Sequence, residues 1–170
     1  SNELGFVEKH LEQYKQKERL SDLKTNMTLD LNTNNEYEKK LLDVEMQLNM
    51  TNYIYNYLSD DKHRFSLLPV NTGIADTELV QLINEYNKEL LERERLMNTM
   101  KADNPTVVNQ DIRIDALRRN VVSSVVGVKD GLSIARTDIL RKTDYFNSRI
   151  GNMPKQEREF NNIDRQQQIK

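Results

Sequence analysis

The residues that could do chemistry in this chain are few and scattered. His10 and His63 are the only histidines, and cysteine is absent. They lie far apart, and no HExxH-like spacing supplies further ligands, so no metal site is expected. Carboxylates are plentiful. Glu85, Glu89, Glu92 and Glu94 cluster beside Lys88, Arg93 and Arg95 at helical spacing, which predicts a solvated ion-pair face and not general acid–base work. No phosphate-binding loop, nucleophile elbow or dinucleotide-binding glycine motif occurs. Asn26-Met27-Thr28 and Asn49-Met50-Thr51 match the glycosylation tripeptide, a pattern short enough to arise by chance. The 7 tyrosines suggest stacking platforms for bases or sugars, but Tyr37, Tyr55 and Tyr86 fall in apolar stripes and read as core. No residue is assigned a catalytic, cofactor-binding or metal-binding role, and an enzyme is the last reading of this segment.

What the sequence carries instead is periodicity. Tyr37, Leu41, Val44, Leu48, Thr51, Tyr55 and Leu58 alternate at four- and three-residue steps. So do Leu79, Ile83, Tyr86, Leu90, Arg93, Met97 and Met100. A third run is Ile114, Leu117, Val121, Val125, Val128, Leu132, Ala135 and Ile139. This spacing gathers side chains into one stripe along a helix, the stripe that packs against another helix in a coiled coil. Arg93 is the odd member: it either snorkels out or pairs with an acid and sets register. In the third run two successive four-residue steps (117, 121, 125) depart from the heptad and relax any supercoil there.

Composition agrees with thin helical layers. Of 170 residues, 36% are apolar and 31% charged, with 5 glycines and 3 prolines. No stretch approaches the roughly 20 apolar residues that span a bilayer; Ser123 and Ser124 interrupt the densest patch, Val121 to Val128. The chain opens Ser1-Asn2-Glu3 without Met, which reads as an excised segment, with Ser1 and Asn2 as candidate tag remnants. Charge is uneven: residues 1–62 carry net −4, 63–106 net −2, 107–150 net +3 and 151–170 net +1. Antiparallel packing of the basic helix on its acidic neighbours explains this more simply than a basic track for an anionic polymer.

The elements follow. Helices are expected over 3–25, with Leu4, Val7, Leu11 and Tyr14 on one face, and over 36–61, with Asn35 and Glu38 as a capping box. The Asn, Thr and Asp cluster of 25–35 reads as a break between them. A connector carrying Pro69 and Gly73 leads to a helix over 77–102, capped by Asp76. Asn104-Pro105 starts a fourth helix to about 150, roughly 65 Å long. Gly127 and Gly131 either admit a close backbone approach or are tolerated weak spots. Gly151-Asn152-Met153-Pro154 stops the helix, and residues 155–170 form a short polar one. The fold class is all-α: one module over 1–170, an elongated antiparallel helical hairpin or coiled-coil bundle of about four long helices and one short C-terminal helix.

Leu67-Leu68-Pro69-Val70-Asn71-Thr72-Gly73-Ile74-Ala75-Asp76, followed by Leu79, Leu82-Ile83, Tyr86-Asn87, Leu90, Glu92-Arg93 and Leu96, resembles the periplasmic region of bacterial chain-length determinant proteins. These are the polysaccharide co-polymerases, above all those fused to a cytoplasmic tyrosine kinase. The resemblance continues through Asn104-Pro105, Val107-Val108 and Leu117-Arg118 to Pro154, Glu157-Arg158-Glu159 and Arg165-Gln166-Gln167-Gln168-Ile169-Lys170. It covers roughly 65–170, and residues 1–64 agree only in being helical. It implies a parent anchored by two transmembrane helices in the inner membrane, with long helices in the periplasm and protomers assembled into rings. It further implies control of capsular or exopolysaccharide chain length, and contact with the polymerase and an outer-membrane export channel.

On that reading the segment is a non-catalytic structural and oligomerisation arm, without cofactor and without a nucleic-acid partner. A periplasmic adaptor hairpin of a secretion or efflux system is the alternative, and a ligand-binding module using the tyrosines or the basic helix is a third. Stripe burial supplies most of the stability at about 25 cal/mol per Å² of apolar surface, so a charge at Leu117 or Leu132 should disrupt the arm and one at Glu92 should not.

Overall fold

The computed structural model describes the backbone of residues 2–169 and side chains through residue 152. It holds three α-helices and no strand among the described residues: α1 (Asn2–Ser59), α2 (Thr77–Met97) and α3 (Pro105–Ile169). A single 3₁₀ turn, Asp61–His63, follows α1. The all-helical class stands, but with three helices where about four long and one short were expected. The chain divides into two compact units, one made of 1–41 with 138–170 and the other of 42–137.

Two expected interruptions are helical. The polar cluster of 25–35 does not break α1, because its side chains do not compete for the helix backbone. Thr25 and Thr28 donate their hydroxyls to the carbonyls of Ser21 and Lys24, each at 3.0 Å, a bond made within the helix. Asp30 and Asn34 are turned inward onto α3 and are 7% and 5% exposed. Nor does Gly151 end α3. A helix-ending glycine takes a left-handed conformation, and Gly73 is the only described glycine at positive φ. Pro154 withholds one N–H from a long helix, a local loss that does not force a stop. The short helix expected over 155–170 is thus part of α3. The side chains of that stretch, including the motif residues from Pro154 onward, lie outside the described ones.

The unit of 42–137 has the apolar core. Ile54, Leu58, Leu79, Ile83, Tyr86, Leu90, Ile114, Val121 and Val125 are each less than 5% exposed and pack in one cluster. Every member of the third stripe faces inward, fully or in part. The second stripe holds to Arg93 and then shifts by one residue: Leu96 is 8% exposed, whereas Met97 is 37%. The reason is that α2 ends at Met97 and not 102; a turn follows, in which Met100 donates its N–H to Leu96 at 2.9 Å. Asp76 caps α2 by accepting the Leu79 N–H at 2.8 Å, and Asn104 accepts the Thr106 N–H at 2.9 Å beside Pro105, as the sequence predicts.

The connector 64–76 is held by one side chain. Asn87 on α2 accepts the Leu68 N–H at 2.8 Å and donates to the Leu68 carbonyl at 2.9 Å, satisfying both backbone groups of a residue that is 3% exposed. Asn71 and Gly73 then reverse the chain at φ 60° and 77°.

In the unit of 1–41 and 138–170, α1 and α3 run antiparallel. Arg149 faces Asp30, Asn147 bonds Asn34, and Phe146 stacks on Tyr37 with ring centres 5.8 Å apart. The face expected to be inside, Leu4, Val7, Leu11 and Tyr14, is outside, each residue being more than half exposed. The inward side of this half of α1 is Gln13, Gln16, Leu20, Leu23 and Met27, followed by Asp30, Asn34 and Tyr37. These keep the four–three spacing without a break, but so many are polar that an apolar search passes over them.

The core yields two tests. Leu132 is only partly buried while Val125 is fully buried. In thermal melts followed by circular dichroism, Val125→Asp abolishes cooperative unfolding and Leu132→Asp lowers the midpoint less. Burial also raises the pKa of Tyr86 above its ordinary value, the nearby Arg118 opposing. The folded state therefore favours the neutral phenol, and its contribution to stability is complete below pH ~10 and lost as pH rises further. Melts between pH 8 and 11 should fall more steeply for wild type than for Tyr86→Phe.

Candidate functional site

The two histidines do not meet. His10 lies edge-on to Phe6, centroids 4.4 Å apart, in one unit; His63 stacks flat on Tyr57 at 3.9 Å in the other. The Nδ1 of His63 is buried without a hydrogen bond, 3.8 Å from Asp60. Among the described residues no group of three or more His, Cys, Asp or Glu side chains is placed to hold a metal ion.

The carboxylate cluster on α2 divides in two. Glu92 pairs with Arg95 along the helix, and the Arg95 hydrogen bonds hold its carboxyl below the usual range, as a solvated face predicts. Glu89 instead reaches α3, accepting from Gln110 with Arg113 3.9 Å away. Arg93 also departs from the solvated face. Its Nε donates to Asp111 at 2.7 Å, its guanidinium carbon lies 3.5 Å from the Phe65 ring centre, and its side chain is 16% exposed. Of the two roles open to it, Arg93 takes the second, pairing with an acid across α2 and α3. Phe65 brings the connector into the same cluster, and neighbouring Arg64 pairs with Asp115 at 3.3 Å.

The tyrosines also sort by place. Tyr86 is buried and donates its hydroxyl to the Arg64 carbonyl at 3.3 Å. Tyr37 and Tyr55 are half-buried under lysines: Lys40 and Lys142 each lie 5.4 Å from the Tyr37 ring centre, and Lys129 lies 5.6 Å from that of Tyr55. Tyr14, Tyr53 and Tyr145 are exposed. The tripeptides differ as well. Asn26, Thr28 and Asn49 are exposed, whereas Thr51 is fully buried and donates to the Gln47 carbonyl at 2.6 Å.

A concavity of about 900 Å³ lies beside the start of α2 within the unit of 42–137. Asp76 and Glu78 form one rim, and Asn120, Ser124, Gly127 and Gly131 of α3 form the floor. The two glycines do not mark a close backbone approach. A methyl group added at either would meet nothing within 4 Å, so they are tolerated weak spots along an open groove. Asp76 is engaged in capping α2. The groove lining mixes Asn120, Ser123 and Ser124 with Leu82, Val128 and Leu132, and no hydrogen-bonded nucleophile–base pair is seen among these residues. No described helix is long and apolar enough to cross a membrane.

The charge asymmetry also resolves into pairs across helices: Arg136 with Glu45, Arg149 with Asp30, Arg113 with Glu89, and Arg93 with Asp111 in the opposite sense. Packing accounts for the sign difference, as the simpler reading held. Arg118 completes the set by donating to the Leu58 carbonyl at the end of α1, where free carbonyls carry partial negative charge. Sequence spacing could not reveal the Phe65–Arg93–Asp111 cluster, because its members come from three separate segments. Arg93→Ala strands a mostly buried carboxylate and should cost about 2–3 kcal/mol; in a double-mutant cycle read by thermal or denaturant melts, adding Asp111→Ala should return part of that loss.

Comparison with protein-family models, with curated proteins and with solved structures finds no match.

Proposed function

We propose that this chain is a non-catalytic structural and oligomerisation arm of a bacterial polysaccharide co-polymerase, one that regulates capsular or exopolysaccharide chain length and export. In this reading it stands in the periplasm as part of an inner-membrane protein whose remaining parts carry the membrane helices and, in the kinase-fused type, a cytoplasmic tyrosine kinase. Its helices form an elongated coiled-coil hairpin, copies of it assemble with one another, and the assembly meets the polymerase and an outer-membrane export channel.

One observation carries the reading. Residues on which the family resemblance rests do structural work at successive points of the unit of 42–137. Leu68 is clamped by Asn87, Asn71 and Gly73 take the positive φ that reverses the connector, Asp76 caps α2, and Asn104-Pro105 starts α3. These residues each perform a structural task in one unit, which is consistent with their standing together as a motif. Arg93 and Asp111 are matched to one another across α2 and α3, which suits an arm that transmits shape and not a reaction.

The test is an in-frame deletion of this segment in the source bacterium, retaining the membrane helices and with expression verified. The length profile of the surface polysaccharide on a gel should collapse or shift. An unchanged profile overturns the reading.

A further inference from the structure

We propose, independently of the polysaccharide reading, that the unit of 1–41 with 138–170 is a polar latch that opens and recloses while the unit of 42–137 stays folded.

The two units bury different chemistry. In the unit of 42–137 the inner positions are mostly Ile, Leu, Val and Tyr; Thr51 and Gln110 are buried there too, but each donates to a backbone carbonyl. In the other unit, Ile139 is the one apolar side chain among the described residues that is less than a tenth exposed; Asp30, Asn34 and Thr143 take the remaining inner places. Leu20, Leu23 and Met27 are only partly covered. Apolar burial drives helix pairing, whereas a buried polar group at best offsets its own loss of water.

Here the offset is incomplete. Asn34 donates to Asn147 at 2.9 Å and to Glu38 at 3.3 Å, yet its side-chain oxygen is buried without a partner. Asp30 lies 2.9 Å from the Arg149 Nε, but that oxygen has no aligned hydrogen bond, and the Arg149 side chain is 44% exposed, open to water and salt. The hydroxyl of Thr143 turns back to the Leu140 carbonyl of its own helix at 2.9 Å and gives nothing to α1. On opening, each of these groups regains water, so the closed pairing is only weakly favoured over the open one. Once apart, these stretches of α1 and α3 lose the packing that supports them, and their backbone bonds open locally. Opening is therefore a local event, short of global unfolding.

Native-state hydrogen exchange on the whole chain tests this. Amides of 28–41 and 138–150 should exchange at least about tenfold faster than those of 48–58 and 110–128, with a shallower dependence on denaturant, because a local opening exposes less surface. A common rate and slope across both units overturns the proposal. Asn34→Leu combined with Asn147→Leu replaces the unmet polar pair by apolar contact and should slow exchange in 28–41 by about tenfold, leaving 48–58 unchanged. Equal slowing in both units, or none in 28–41, overturns it as well. If the double variant does not fold, the wild-type exchange pattern decides alone.

Discussion

A helix can hide only one stripe of its surface from water, and each of these helices must find that stripe a partner. In the unit of 42–137 the solution is a three-way meeting: Ile54 and Leu58 of α1, Leu79 to Leu90 of α2, and Ile114 to Val125 of α3 share one cluster. The connector, the caps and the charge pairs are subordinate to it. Asn87 exists in its bonded form because Leu68 must be inside, and a buried backbone amide and carbonyl need partners there. Arg93 is held by Asp111 and Phe65 because α2 brings it to the edge of the same cluster, where a guanidinium can be half-dry only if it is matched.

The sequence was most legible where inner positions are apolar. The third stripe, from Ile114 to Ile139, was readable in full, as were the Asp76 and Asn104-Pro105 starts, because hydrophobic spacing and capping chemistry are both local signals. It was least legible where inner positions are polar. Asp30 and Asn34 resembled loop residues, and only their distant partners, Asn147 and Arg149, make them helical core. Leu4 to Tyr14 resembled core and are exposed. Periodicity finds a stripe, but on a helix with apolar residues on two faces it does not say which face is covered.

The candidate site was legible in a weaker sense. The cluster that joins connector, α2 and α3 could not be seen in the sequence. Phe65, Arg93 and Asp111 have no common motif, and Arg93 announced itself only as a charge in an apolar row. The net positive charge of 107–150 likewise became interpretable through Glu45, Asp30 and Glu89, which lie far away in sequence.

The hydroxyl groups along these helices have a consequence for any polyhydroxylated molecule that touches them. Thr25, Thr28, Thr51, Ser59, Thr137 and Thr143 all point their single proton at a carbonyl of their own helix. Thr51 and Thr143 do so in the interior, whereas Thr25, Thr28, Ser59 and Thr137 are exposed and present lone pairs outward. Such a surface is chemically one-directional: a sugar approaching Thr25 or Thr28 meets acceptors and must supply the protons itself, leaving its ring oxygens to water or to the lysine and arginine side chains nearby.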